Sequence, residues 1–257
     1  MKPLTEGKIL TIDQGNSAVK AVLWNGDVPV MSVRSVAPSV EDLLPMFSGG
    51  MPAGCIYSNV GHADAKFIET LRRLVEGEFI ILTPSLPLPF SVDYKSRDSL
   101  GNDRIAAVAG AGALFPKKGA LIVDAGTAIT LDIMDNHGNF KGGNISPGLG
   151  LRLEALHHYT ESLPKVDVDG PVPDFGYDTT TAIRSGVVNG VIAEICASRE
   201  KALDKYGDIV LVMTGKDSEV IAPSLVSAGI KVNIVPELVG MGLKEIYNYN
   251  FSHLEKS

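Results

Sequence analysis

The chain has 257 residues, 45% of them hydrophobic and 21% charged, with a formal net charge of −7. That balance describes a globular protein able to bury a large core, and the acidic surplus without a basic cluster excludes non-specific nucleic-acid binding and a membrane-surface role. No apolar run approaches bilayer length, the N-terminal MKPLTEGKIL has no signal-peptide core, and two distant cysteines, Cys55 and Cys196, make neither a disulfide framework nor a zinc site; a reducing cytoplasm is the expected setting.

In chain order, Ile9 to Ile12 reads as a buried strand, Asp13 to Ser17 as a turn, and Ala18 to Trp24 as the return strand. Asn25-Gly26-Asp27 turns the chain into Val28 to Val33. Lys20, mid-strand, either snorkels to a sheet edge or points at whatever the turn binds. Ser39 to Phe47 reads as a helix with Ser39 as N-cap, Ala53 to Val60 as a strand, His62 to Val75 as an amphipathic helix opened by a surface histidine, and Phe79 to Leu82 as a strand. Pro84, Pro87 and Pro89 mark a rigid loop before Tyr94 and the polar KSRDSLGNDR. Asn102 to Leu114 is an Ala/Gly-rich helix that must lie close against another element. Asp103 in its first turn is either a dipole-favoured charge or functional, and Arg104 could pair with Asp103, another chain or an anion.

Pro116 to Gly119 is the expected boundary between two halves, 1–116 and 117–257. Leu121 to Val123 is a strand ending in Asp124, with a small-residue turn at Ala125, Gly126 and Thr127 and a return strand over Ile129, Leu131 and Ile133. The glycine-rich FKGGNISPGLG is expected to be irregular, a loop suited to close approach by a ligand. Leu149 to Leu163 is predicted helical, with His157 and His158 at the surface, and Pro164 to Asp174 is a mobile loop. Asp178 or Thr179 caps a helix to about Leu203. Ile209 to Met213 is a strand, Thr214-Gly215 a turn, Ser218 to Ala228 a helix, Val232 to Val235 a strand and Leu238 to Tyr247 a closing helix, with Tyr249 to Ser257 frayed.

The two Asp-x-Gly hairpins align with each other. Placing Asp13 on Asp124 sets Gly15 on Gly126, Asn16 on Thr127 and Val22 on Ile133. Such a bend offers backbone N–H groups and hydroxyls to an anion, while its carboxylate can hold a cation. Two copies between apolar strands indicate a duplicated domain with a ligand cleft between its halves.

These motifs together carry a resemblance. Asp13-Gln14-Gly15-Asn16-Ser17, Tyr94 with Gly101-Asn102-Asp103-Arg104, Asp124-Ala125-Gly126-Thr127, Gly142-Gly143-Asn144-Ile145-Ser146-Pro147-Gly148 and Gly176-Tyr177-Asp178-Thr179 occur in an order that resembles type III pantothenate kinases. That family lies in the acetate and sugar kinase/actin/heat-shock ATPase superfamily. The resemblance implies an α/β, duplicated ribonuclease-H-like fold in two halves around a central cleft. It also implies transfer of the γ-phosphoryl of ATP to pantothenate, giving 4'-phosphopantothenate, the first step of coenzyme A biosynthesis. A homodimer is implied, with Mg²⁺ and a monovalent cation, K⁺ or NH₄⁺. By motif position, Asp13, Gln14, Gly15, Asn16, Ser17, Ala18, Val19 and Lys20 would bind the ATP phosphates and Thr127 the nucleotide. Asp103 would accept the proton of the pantothenate hydroxyl. Tyr94, Gly101, Asn102, Asp103, Arg104 and Thr179 would contact pantothenate, and Asp124 the monovalent cation. Two positions depart from the family pattern: Asn102, where Ala is common, and Lys216, where a second Gly is usual. The rival readings are a non-catalytic nucleotide-binding regulator on the same fold, which would not need Asp103, and another sugar or acetate kinase or a polyphosphate hydrolase.

Overall fold

Runs of β-branched and aliphatic residues broken by Gly turns give two sheets, one in each unit, and helices pack on the faces of each. The structure, a computed structural model, describes residues 7–15, 18–36, 39–60 and 65–254. The chain divides into two units. Unit 1 takes the described residues up to Pro116 and again from Glu237, and unit 2 is Lys117–Pro236.

Unit 1 contains β1 (Ile9–Gln14), β2 (Val19–Asn25), β3 (Val28–Ser35), the short α1 (Val40–Leu43), β4 (Gly54–Asn59), α2 (Ala65–Arg73), β5 (Phe79–Ile81) and α3 (Asn102–Leu114). Its sheet order is β3-β2-β1-β4-β5, antiparallel across the first three strands and parallel from β1 to β5. Unit 2 contains β6 (Gly119–Ala125), β7 (Ala128–Met134), β8 (Phe140–Pro147), α4 (Leu149–His158), α5 (Thr179–Tyr206), β9 (Ile209–Thr214), α6 (Ser218–Ser227) and β10 (Val232–Ile234). Its order, β8-β7-β6-β9-β10, and its strand directions repeat those of unit 1. This is a duplicated ribonuclease-H-like α/β fold. In unit 1, Leu10, Ile12, Cys55 and Tyr57 pack against Phe67 and Leu71 of α2; in unit 2, Leu121, Val123, Leu211 and Met213 pack in one cluster with Val187, Val191 and Ile195 of α5.

Several sequence expectations change. The first concerns α7 (Leu238–Leu254), which belongs to unit 1 although the chain reaches it from unit 2. It lies against the small-residue helix α3 so closely that a Cβ at Gly242 would sit 1.7 Å from Ala106 O, and one at Gly110 2.4 Å from Leu238 O. The second half therefore ends at Pro236 instead of residue 257. α7 also continues past Tyr247, because Tyr247 stacks on Phe251 at 5.9 Å and Asn250 Nδ2 donates to Pro87 O at 2.9 Å.

Secondly, FKGGNISPGLG is regular for most of its length: it forms β8, paired antiparallel with β7. Its glycines serve the sheet. A Cβ at Gly143 would sit 2.1 Å from Leu131 O, and Gly142, at φ +96°, adjoins the register shift at Ile133/Met134.

Thirdly, the two hairpins match along their incoming strands only. Asp13 pairs with Lys20 but Asp124 pairs with Thr130, so the second turn is one residue shorter. Val22, opposite Thr11, corresponds to Asp132, opposite Ile122, and not to Ile133.

Lastly, the loop before α5 is tied down. Arg184 Nε donates to Asp167 O at 2.9 Å, Asn189 Nδ2 donates to Pro173 O at 3.1 Å, and Gly170 packs on the Arg184 guanidinium. Helix α4 stops at His158, where His157 Nδ1 lies 2.8 Å from Leu163 O, and both histidines are exposed as expected. His62 lies outside the described residues.

Candidate active site

In unit 1 the C-terminal ends of the parallel strands β1, β4 and β5 meet the N-terminus of α3, the end of an α/β sheet where ligands bind. Asp13 and Gln14 close β1 on opposite faces. Asp13 Oδ1 accepts from Ser58 Oγ at 3.3 Å, Gln14 Oε1 accepts from Tyr57 Oη at 2.5 Å, and Gln14 O accepts from Val60 N at 2.9 Å. Gly15 N donates to Ala18 O at 3.0 Å, which closes the turn into Val19. Asn16 and Ser17 lie outside the described residues. Lys20 stands across the ladder from Asp13, and its ammonium is 2.9 Å from Glu237 Oε2. It makes an ion pair between the sheet and the start of α7.

The neighbouring strand end is tied to α3 by Asn102, whose Nδ2 donates to Asn59 O at 3.2 Å and to Leu82 O at 3.1 Å. One amide thus fixes the helix start to the ends of β4 and β5. An alanine there could not make these bonds, which explains what this departure from the family pattern does. Asp103 follows, half-buried in the first turn of α3, with Oδ1 accepting from Arg104 N at 2.9 Å. Gly101 leaves the space: a Cβ there would lie 2.4 Å from Asp103 Oδ1. Arg104 is buried, and its guanidinium carbon lies 5.8 Å from the centroid of the Tyr94 ring, a cation–π arrangement. Tyr94, Gly101, Asn102, Asp103 and Arg104 are therefore brought together in one unit.

Asp124, Thr127 and Thr179 belong to unit 2. Asp124 stands half-buried in β6, one residue before its end at Ala125; Gly126 N donates to Ala128 O at 3.0 Å, and Thr127 is exposed at the tip. Thr179 is the exposed first residue of α5. The cap is Asp178. It accepts from Thr181 N at 2.7 Å in a capping box, and the Thr181 backbone and hydroxyl bonds hold its carboxyl below the ordinary value. Thr181 fills the box, which leaves Thr179 and Thr180 exposed.

Two other turns adjoin the Asp124 turn. Gly148 N donates to Thr127 O at 2.9 Å, and a Cβ on Gly148 would meet Gly126 O at 2.2 Å. Gly215 has φ +87°, and a Cβ there would be 2.5 Å from Ala125 O and from Asp124 Oδ1. Lys216 carries no such restriction. Its backbone is not left-handed and its side chain is exposed, so the second departure is accommodated without strain. Asp217, unremarked in the sequence, is 6% exposed, and burial pushes its carboxyl above the ordinary value against the opposing pull of Lys216 and the Leu149 N–H.

As to a divalent metal, the half-buried Asp13 carboxylate at a strand end suits Mg²⁺. That ion is held by one or two carboxylates, with waters and substrate phosphates completing the shell.

Comparison with known proteins places this geometry in context. A family model described as type III pantothenate kinase matches residues 9–200. Proteins named type III pantothenate kinase from Porphyromonas gingivalis and Bacteroides fragilis are each 36% identical to the chain, covering 94% of it and 98% of their own lengths. One from Flavobacterium johnsoniae is 34% identical, covering 84% of this chain and 89% of its own. Among solved structures, a protein from Campylobacter jejuni described as of the Baf transcriptional-activator family superposes with a TM-score of 0.63 at 23% identity, covering 95% of this chain and 99% of that one. The activator of 2-hydroxyisocaproyl-CoA dehydratase from Clostridium difficile, with ADPNP bound, gives 0.52 at 13%, covering 97% of each. At those identities the likeness is one of fold.

Proposed function

The chain belongs to the type III pantothenate kinase family and is an ATP-dependent kinase that phosphorylates pantothenate in coenzyme A biosynthesis, and on that premise we propose the roles its own residues play. ATP is used with a divalent metal; Mg²⁺, when bound, neutralises charge on the phosphate oxygens. The turn Asp13 to Lys20, including Asn16 and Ser17, holds the phosphates. Asp13 offers the metal a carboxylate. Thr127, exposed at the tip of its turn, contacts the nucleotide.

Phosphoryl transfer asks the protein for alignment, charge neutralisation and a group to take the nucleophile's proton. Asp103 is that group. Its carboxylate accepts a hydrogen bond from the primary hydroxyl of pantothenate, orients the oxygen, and takes the proton as the bond to the γ-phosphorus forms and the bond from that phosphorus to the bridging oxygen of the leaving ADP breaks. Arg104 supplies positive charge to the substrate carboxylate, Tyr94 holds Arg104 in place from its ring face, and Gly101 and Asn102 shape this end of α3; Thr179 is assigned a pantothenate contact of its own from α5. The carrying observation is the α3 N-terminus, where Asn102 ties the helix start to two strand ends and Gly101 makes room for the Asp103 carboxylate.

Asp124 holds the monovalent cation, K⁺ or NH₄⁺. Its half-buried carboxylate lies beside the carbonyl of Ala125 and the Gly215 turn, an oxygen-bearing setting suited to such an ion. The molecule works in the cytoplasm as a homodimer. Support for the dimer comes from an open apolar groove of about 740 Å³ between α4 and α5, lined by Leu151, Ala155, Leu156, Ile183 and Val187.

A coupled assay following pantothenate-dependent ADP formation tests the reading. Turnover is expected with K⁺ or NH₄⁺ and not with Na⁺ alone; equal rates in Na⁺ would remove the cation role. Asp103→Asn should lower kcat by roughly 10²–10⁴-fold with the fold intact. Turnover near wild type would remove Asp103 from proton transfer.

A further inference from the structure

Three turns of unit 2 converge on one side chain. The backbone N–H of Asp217 donates to Ala125 O at 3.0 Å, inside the Asp124–Thr127 turn. Its carboxylate accepts from the N–H of Leu149, the first residue of α4, directly after Gly148, whose own N–H holds Thr127 O at 2.9 Å. Ser218 Oγ donates to Gly215 O at 2.6 Å and keeps the third turn closed, with Gly215 pressed on Ala125. Asp217 therefore grips both ends of a short loop of contacts: Ala125 through its backbone and, through Leu149 and Gly148, Thr127.

The side chain is buried at 6% exposure, and among the described residues its Oδ2 has no hydrogen-bond partner. A buried carboxylate with one unpartnered oxygen costs stability that a neutral side chain of similar shape would avoid. Its oxygen also sits at the N-terminus of α4, where negative charge and an N–H acceptor both hold the helix end in place.

We infer that Asp217 is a positioning residue for nucleotide binding: it sets the Asp124–Thr127 turn against the Gly148 corner and acts through Thr127 and Asp124. The inference rests on the reading of that turn as the nucleotide turn. It says nothing of pantothenate contacts, which keeps the two separable by experiment.

Asp217→Ala deletes the acceptor for Leu149 N–H, and Asp217→Asn keeps an acceptor oxygen in the same place. Asn233→Ala serves as the comparator. It loses one side-chain bond in the same unit, Nδ2 to Leu211 O at 3.0 Å, away from the three turns. Binding of a non-hydrolysable ATP analogue is measured by calorimetry on the full chain, beside KM and kcat for both substrates and the melting temperature. Asp217→Ala should weaken analogue binding and raise the ATP KM by about tenfold, leaving the pantothenate KM within about twofold. Asp217→Asn should restore most of the loss, and Asn233→Ala should leave analogue binding at the wild-type value. If Asp217→Ala does not fold, Asp217→Ser, too short to reach Leu149, carries the same expectation. Analogue binding by the Ala or Ser variant within twofold of wild type overturns the inference, whatever the melting temperature does. So does a parallel rise in both KM values, or a failure of Asn to rescue. A wild-type chain that binds the analogue but shows no pantothenate-dependent turnover would sink the catalytic assignments and leave this inference standing.

Discussion

At the residue scale, the site depends on a single absent side chain. Gly101 has φ −58°, a conformation any residue can adopt, so backbone freedom does not explain it. The space does, because a Cβ would stand 2.4 Å from the Asp103 carboxylate oxygen. The obstructed atom ends a side chain that can rotate away. Gly101→Ala should therefore leave stability close to wild type while kcat falls by roughly 10- to 100-fold, the scale of a misplaced catalytic group. Chemical denaturation beside steady-state kinetics checks this, and an unchanged kcat would show that the carboxylate's position is not critical. Asp178 makes a complementary case, in which the effect is on folding. Its two bonds from Thr181 hold its carboxyl below 3.8, so the stabilisation is present above that value and is lost as pH falls through the folded-state pKa. The melting temperature of Asp178→Ala should lie below wild type at about pH 7, and the gap should close below about pH 4. A gap independent of pH would mean that the cap acts without its charge. The residues around Asp103 left it open between a dipole-favoured charge and a functional group, and only the family resemblance proposed a role; what was readable locally is its place in the first turn of α3. Asp217 was illegible, since its partners, Ala125 and Leu149, are backbone groups far off in the chain that leave no trace in side-chain identity.

At the scale of elements, the small-residue stripe of α3 announced a close neighbour and could not name it. The neighbour is α7, delivered by the chain only after the whole of unit 2. Gly242→Ala would push a methyl to 1.7 Å from Ala106 O, on a helix backbone that cannot yield locally. A loss of about 2 kcal/mol or more is expected. Gly190→Ala on α5 meets nothing within 4 Å, so the gain in helix propensity should dominate, at about 0.5–1 kcal/mol of stabilisation. Opposite signs in urea titrations would establish that packing sets the first effect and helix propensity the second; the same sign for both would refute that. The glycines of β8 misled the sequence reading for a related reason. Glycine marks close approach in loops and in sheets alike, and only the pairing with β7, with Gly143 over Leu131 O, distinguishes the two. The strand alternation itself was readable throughout, because apolar runs bounded by turns have few other solutions.

At the scale of the molecule, duplication was readable from two Asp-x-Gly hairpins, and the matching strand orders of the two sheets establish it. The homodimer rests on the family resemblance alone, and the surface proposed for it lies on two helices separated by the anchored loop. Leu151 and Tyr159 stand 46% and 82% exposed at the groove between α4 and α5, an arrangement that a lone chain would leave wetted. A two-fold dimer would apply the same patch to itself and cover it twice. The groove also runs onto Ala182 and Ile183, one turn from Thr179 on α5, so closing it orders the helix start that carries a proposed substrate residue. Leu151→Glu should therefore convert a two-chain mass into a one-chain mass by light scattering and raise the pantothenate KM, while ATP-analogue binding changes little. A single-chain mass for the wild type would remove the dimer from the proposal. A monomeric Leu151→Glu with an unchanged pantothenate KM would show that the groove serves assembly alone and that Thr179 is positioned entirely by its own helix.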